Sequence, residues 1–306
     1  MEGTGAAART GVIARDTGVP ETGAIETPSG KQAAGENFPV GSWLIRKDLR
    51  RHVHTFYLFA RAADDIADNP ALAPAEKLRR LDRMGEILAG APAGETASDA
   101  PSAVAMRASL AETGVTAEHC HDVLRAFRLD ATKLRYADWD DLMEYCRYSA
   151  SPVGRQLLDL HGEDHAAYPP SDALCSALQV LNHLQDCGDD YRDLDRVYLP
   201  LEILAPHGGA VEQLTGARLT PGLRRTIDHL LDRTEVLIVA AQDLPGSVAS
   251  LGLRCESAVI VALAGRLASL LRRGDPLATR VKLAKRDFAG ALLGGVWRGI
   301  VAGRSA

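Results

Sequence analysis

No two cysteines in this 306-residue chain stand in a C-x-x-C arrangement, and the five present cannot all pair. That arithmetic argues against a disulfide framework and points to reduced thiols in a cytoplasmic protein, some of them core filler. Long apolar runs are missing too. None reaches the roughly 18 residues of a spanning helix, and the best candidate, SAVIVALAGRLASLL, is cut by Arg266 and preceded by Arg254 and Glu256. The N-terminus lacks the compact apolar core of a secretory signal. Positive charge is not in excess: a net charge of -5 argues against nucleic acid as the main partner. No convincing alternating strand appears, and no G-x-G-x-x-G follows one, so no Rossmann unit is read.

What is present is helix. Residues 1–35, rich in Gly, Ala, Thr and Pro without a period, read as a disordered leader. From there to 306, apolar residues recur at three- and four-residue steps, which predicts a single all-α domain. Breaks are expected at NPALAP, AGAPAGETASDAP, AYPPSDA, YLPLEILAPHGG, LTPG and RRGDP.

Two helical faces carry charge that their surroundings do not invite. In RRHVHTFYLFARAADDIAD, Tyr57, Arg61, Asp64 and Asp68 fall on one stripe, with Asp65 beside it, on a helix otherwise apolar nearly all round. In LCSALQVLNHLQDCGDDYRDLDRVYLP, Gln179, Asn182, Asp186 and Asp190 form a second stripe on a helix of Leu, Val and Ala. Buried carboxylates are costly unless paired or bound to metal, and Arg61 alone cannot neutralise three of them. All the donors are oxygens, and neither stripe includes His or Cys. That chemistry suits Mg²⁺, which takes one or two carboxylates and completes its shell with water and substrate phosphate. Two such faces across a cavity predict a metal-bound diphosphate, with Arg61 as a direct clamp.

These stretches resemble the two aspartate-rich motifs of the squalene/phytoene synthase family, the head-to-head trans-isoprenyl diphosphate synthases. The likeness runs from about Asn37 to about Gly290 and includes the R-x-Y-L-P after the second motif. YCRYSASPVGR resembles a third marker, with Tyr145 and Gly154 at matching positions, while ENFPVGSWL and SPVGR are closer to the hydroxysqualene synthase branch of the hopanoid pathway. Most members have Arg-Asp where this chain has Gln185-Asp186, a departure that removes a phosphate-binding cation.

The resemblance implies an all-α isoprenoid synthase fold around a central cavity. It implies Asp64, Asp68, Asp186 and Asp190 as Mg²⁺ ligands, with Asp65 an alternative within its pair. Arg50, Tyr57 and Arg61 match diphosphate-side positions, and Tyr145, Gln179 and Asn182 match residues at the reaction centre. The activity implied is conversion of presqualene diphosphate to hydroxysqualene. The rivals are condensation of two prenyl diphosphates, as in squalene or phytoene synthases, and a non-catalytic binding or assembly factor. With no hydride donor, the final cation is expected to be quenched by water held by Asn182, Gln179 or Gln185.

Other features read as structural. The pairs His52/His54 and His119/His121 diverge by about 200° on a helix, against a metal site, and Asp138, Asp140 and Asp141 read as a helix N-terminus. Residues 272–306 hold eight Lys/Arg against Asp275 and Asp287. That excess fits either a solvated helix face or contact with anionic lipid from the inner face of a membrane. Oligomeric state is not legible.

Overall fold

The structure is a computed structural model and describes residues 25–26, 45–92 and 99–302. Among them are twelve α-helices and no strand, only an isolated parallel bridge between Arg135 and Val197. The ENFPVGSWL stretch and Arg304 lie outside the described residues.

Helix α1 (Arg50–Ala67) divides a core from a cavity. Phe56, Phe59, Ala63 and Ile66 pack against Leu81, Met84 and Ile87 of α2 (Pro74–Leu88), and against α3 (Pro101–Thr113) and α4 (Glu118–Asp130). Its other face presents Val53, Tyr57 and Ala60 to the cavity. This is why the helix looks apolar nearly all round although only part of it meets core.

Most of the expected leader lies outside the described residues, but Ile25 and Glu26 are described and are held in place. Ile25 is buried in this first core. The Glu26 carboxylate accepts from the Ser102 backbone N–H (3.1 Å) and hydroxyl (2.6 Å) at the first turn of α3. It supplies the acceptor that the start of that helix lacks locally. A disordered leader is therefore the wrong description for these two residues.

A second core joins α5 (Trp139–Ser149), α6 (Ser151–His161), α7 (Tyr168–Leu194), α8 (Leu201–Leu204), α9 (Pro221–Ala240), α10 (Leu244–Ser247) and α11 (Leu251–Arg273). Asp138 caps α5 by accepting from the Asp141 N–H at 2.8 Å, as the acidic run predicts. AYPPSDA marks the start of α7, with Pro169 and Pro170 in its first turn, where a missing N–H is tolerated. The 27 residues of α7 span about 40 Å. Helix α6 approaches it at Gly154, where an added Cβ would lie 2.4 Å from the Ser171 Oγ and 2.7 Å from the Cys175 Sγ. Any larger residue there would have to displace these two side chains.

Helix α12 (Lys285–Ala302) packs on α11 through Gly295 and Gly299, where a Cβ would meet the Val259 and Cys255 backbones at 2.7 and 2.8 Å. Its outer face leaves Leu293 (78% exposed) and Trp297 (69% exposed) uncovered among the described residues.

Candidate active site

A cavity of about 550 Å³ lies between α1, α6, α7 and α11. Tyr57 reaches it from α1, and Gln179, Asn182 and Asp186 from α7. Both predicted stripes therefore start on the cavity wall and continue beyond it: Arg61, Asp64 and Asp68 on α1 and Asp190 on α7 lie at successive turns past the lining residues.

The first motif holds its charges in pairs. One guanidinium, Arg61, reaches Asp64 at 3.2 Å and Asp65 at 3.0 Å. Of those two, Asp65 is turned inward and buried, while Asp64 keeps more contact with solvent. Asp68, the C-cap of α1, meets a different cation: Arg196 Nη1 donates to it at 2.6 Å. Arg196 is itself buried; its Nη2 donates to the Ala67 carbonyl and its Nε to the Asp130 carbonyl. The Asp130 carboxylate also accepts from the Tyr145 and Tyr198 hydroxyls, both at 2.8 Å. A buried chain thus runs from Asp68 through Arg196 to Asp130 and two tyrosines. Burial pushes the Asp130 pKa up, against the pull of Arg196 and the two hydroxyls.

At the second motif, Asp186 meets Arg280 at 3.4 Å, and Arg280 lines the same cavity. Burial raises the Asp186 pKa and Arg280 opposes that shift, while Asp190 and Asp189 reinforce it. His183 stacks on Tyr198 with centroids 3.5 Å apart, lies 3.1 Å from the Gln179 amide and stands 3.8 Å from Asp190.

Three expectations change in this arrangement. Tyr145, expected at the reaction centre, is 4% exposed, sits in a cluster with Tyr136 and Tyr198, and does not line the cavity. Its hydroxyl is committed to Asp130, so it buttresses the wall from behind. Gln185, considered as a water holder, is buried and donates to the Val281 carbonyl instead. The residue following its own stripe points away from the cavity, and its hydrogen bond holds the segment that carries Arg280. Arg280, counted with the basic tail, lines the cavity instead. Arg50 is on α1, with its Nε donating to the carbonyl of Ile45, a cavity residue. One histidine of each pair is structural: His52 bonds Ser109 at 2.7 Å and His119 bonds Asp159 at 2.8 Å.

Sequence reasoning assigned no role to Asp130 or Arg196 and placed Arg280 only in the basic tail. Arg196 had a signal, since it opens the R-x-Y-L-P run; Asp130 and Arg280 had none.

Among the described residues no group of three or more His, Cys, Asp or Glu forms a ready metal cage. Mg²⁺ needs none, because water and phosphate complete its shell. The all-oxygen carboxylate pairs are a donor set that fits it.

The profile of the squalene/phytoene synthase family matches residues 31–287. A hydroxysqualene synthase of Rhodopseudomonas palustris is 45% identical over 92% of this chain and 94% of its own length. One from Sinorhizobium fredii is 44% identical over 83% and 85%. A phytoene synthase of Thermus thermophilus is 29% identical over 67% and 69%. Among solved structures, a squalene synthase from Alicyclobacillus acidocaldarius superposes with a TM-score of 0.66 at 31% identity, covering 76% of this chain and 87% of that one. The fold is that of the isoprenoid synthases, and the chain is an enzyme belonging to the squalene/phytoene synthase family.

Proposed function

We propose that this enzyme converts presqualene diphosphate and water to hydroxysqualene and diphosphate, with Mg²⁺, in a hopanoid-type route to squalene. The observation that carries the reading is the cavity's division of labour. One end has Asp186, Arg280 and Tyr57 with the two carboxylate motifs beyond, while most of the remaining wall is apolar and Gln179 and Asn182 stand near the junction. The relatives named hydroxysqualene synthase support the choice of reaction.

Asp64, Asp68, Asp186 and Asp190 would hold the metal, which when bound neutralises charge on the diphosphate as a Lewis acid. Arg61 and Arg280 already rest on carboxylates of the two motifs, so they are stored beside the diphosphate site and grip its oxygens directly. Arg50 fixes the Ile45 end of the wall. The C–O bond breaks with its electron pair leaving on diphosphate. The carbocation rearranges within walls such as Phe56, Leu157, Leu178 and Ile260, which exclude bulk water. A single water near Gln179 or Asn182 then supplies the hydroxyl oxygen, and its proton passes to the departing diphosphate.

The nearest rival uses the same cavity for condensation of two prenyl diphosphates and a hydride-terminated hydrocarbon; the Alicyclobacillus relative is named a squalene synthase. An assay of the pure protein with Mg²⁺ and each diphosphate in turn, products identified by mass, separates them. The expected result is a C30 alcohol from presqualene diphosphate alone, with NADPH changing neither rate nor product. A hydrocarbon formed only with NADPH would promote the rival.

A cytoplasmic enzyme handling such lipids would work at the inner membrane face. No described helix is long and apolar enough to cross a membrane. The outer face of α12 carries Leu293, Trp297 and Ile300 with the exposed cations Lys285, Arg286 and Arg298, a combination suited to an anionic lipid surface. Arg272 is spent on Asp232 and Glu235, and Arg280 on Asp186. Replacing Lys282, Lys285 and Arg286 with Gln is expected to weaken sedimentation with anionic vesicles, and wild-type binding should fall with salt. Equal, salt-insensitive sedimentation of both proteins would leave a solvated helix face.

A further inference from the structure

His183 follows Gln179 by one helical turn on α7, but Gln179 lines the cavity and His183 does not. The histidine is buried behind the wall, 9% exposed, with its ring stacked on Tyr198 at a centroid distance of 3.5 Å and an interplanar angle of 14°. Tyr198 is fixed in turn, because its hydroxyl donates to the buried Asp130 carboxylate at 2.8 Å.

The two nitrogens of this seated ring face two residues with a part in the reaction. Nε2 lies 3.1 Å from the Gln179 amide nitrogen, and Nδ1 stands 3.8 Å from the Asp190 carboxylate. An amide NH₂ can only donate, so the ring Nε2 accepts and the ring proton belongs on Nδ1. The charge on the other side agrees, since an N–H turned to a carboxylate is favoured over a bare lone pair. The consequence falls on Gln179. With its nitrogen drawn back to the ring, the amide has its carbonyl oxygen left for the cavity. Among the described residues that oxygen is neither bonded within the protein nor shut away from solvent.

We propose that His183 is a positioning residue, which turns the Gln179 amide so that a carbonyl oxygen, not an N–H, faces the water that ends the reaction. This rests on the water-quenched reading above. A water whose O–H donates to that oxygen presents its own lone pair to the carbocation, whereas a water bound to an amide N–H has that lone pair engaged. The carbonyl also turns the negative end of its dipole toward the positive charge. The water oxygen forms the new C–O bond, and its proton passes to the departing diphosphate. When water is not held this way, the cation instead loses a proton from a neighbouring carbon to the same diphosphate, a C=C bond forms, and a C30 polyene results. Neither branch needs an oxidant or a reductant.

The test is the ratio of C30 alcohol to C30 polyene made from presqualene diphosphate with Mg²⁺, which changes in substrate binding or ionisation do not move. His183→Phe keeps a ring on Tyr198 and removes the acceptor; it should lower the ratio roughly tenfold, the scale of one hydrogen bond. His183→Gln gives up the stack but offers an amide oxygen near the place of Nε2, and should keep the wild-type ratio. A packing role reverses that order, with Phe the milder change. Should His183→Phe not fold, His183→Leu removes the same acceptor. Gln179→Leu should lower the ratio by itself, and adding His183→Phe should lower it little further, because the two act through one bond. Histidine ¹⁵N NMR of the ligand-free protein reads the tautomer, and the signal lost in His183→Gln should carry its proton on Nδ1. An unchanged ratio in a folded variant without the acceptor, equal losses in Phe and Gln, or a proton on Nε2 each overturns the positioning role. Wild type forming no alcohol overturns the underlying reaction and this role with it.

Discussion

Replacing Asp64, Asp186 or Asp190 with Asn lowers turnover at least about 100-fold while leaving the protein folded, the scale of losing a principal electrostatic stabiliser. The change removes one charge and keeps the shape, so the loss reports on metal and diphosphate chemistry rather than on packing. Stability should hold because none of these carboxylates is the sole partner of a buried cation. Arg61 retains Asp65 when Asp64 is neutralised. Arg280 is substantially exposed and solvated when Asp186 is neutralised. Removing charge from Asp186 also relieves a group that burial disfavours as an anion. Asp68→Asn should be as inactive but should also lose stability, since it strips a carboxylate from the buried Arg196. Turnover at saturating Mg²⁺ and urea unfolding of the four variants check both halves. Retained activity in any one of them removes that aspartate from the metal set.

The largest expected effect on stability belongs to Arg196→Met, about 3–5 kcal/mol, as when one partner of a buried ion pair is removed. This guanidinium binds the Asp68 carboxylate and the carbonyls of Ala67 and Asp130, so it ties the end of α1 to the segment after α7 and to the end of α4. Without it the wholly buried Asp130 carboxylate keeps two tyrosine hydroxyls but loses its neighbouring cation. The double variant Asp130→Asn/Arg196→Met should recover part of the loss, because the unpaired charge is then gone. Urea unfolding of the single and double variants measures this, and a wild-type midpoint for Arg196→Met would contradict the network.

The legible part of this protein was its helical period and its charge where charge is costly. Asp64 and Asp186 could be found because each interrupts an apolar helix at four-residue spacing with another acid, a pattern that survives without tertiary information. Arg280 could not be found that way: it lies 94 residues from Asp186 in an irregular segment, and only folding brings it to the wall. Tyr145 was placed by the family resemblance and Gln185 as one of three amides that could hold water; the structure turns the first hydroxyl to Asp130 and the second amide to the Val281 carbonyl, long-range contacts that no helical period shows. Asp130 gave no signal because an aspartate at a helix end is ordinarily solvated; its burial depends on Arg196, another 66 residues on.

The central claim is that a diphosphate leaves and water, not hydride, ends the reaction. Incubating the purified enzyme with presqualene diphosphate and Mg²⁺ in ¹⁸O-water, with NADPH present, tests it directly by mass spectrometry of the extracted lipid. The account predicts a C30 alcohol with ¹⁸O in its hydroxyl, one labelled oxygen for each diphosphate released, and no product when EDTA replaces Mg²⁺. An unlabelled C30 hydrocarbon whose yield tracks NADPH consumption would contradict it.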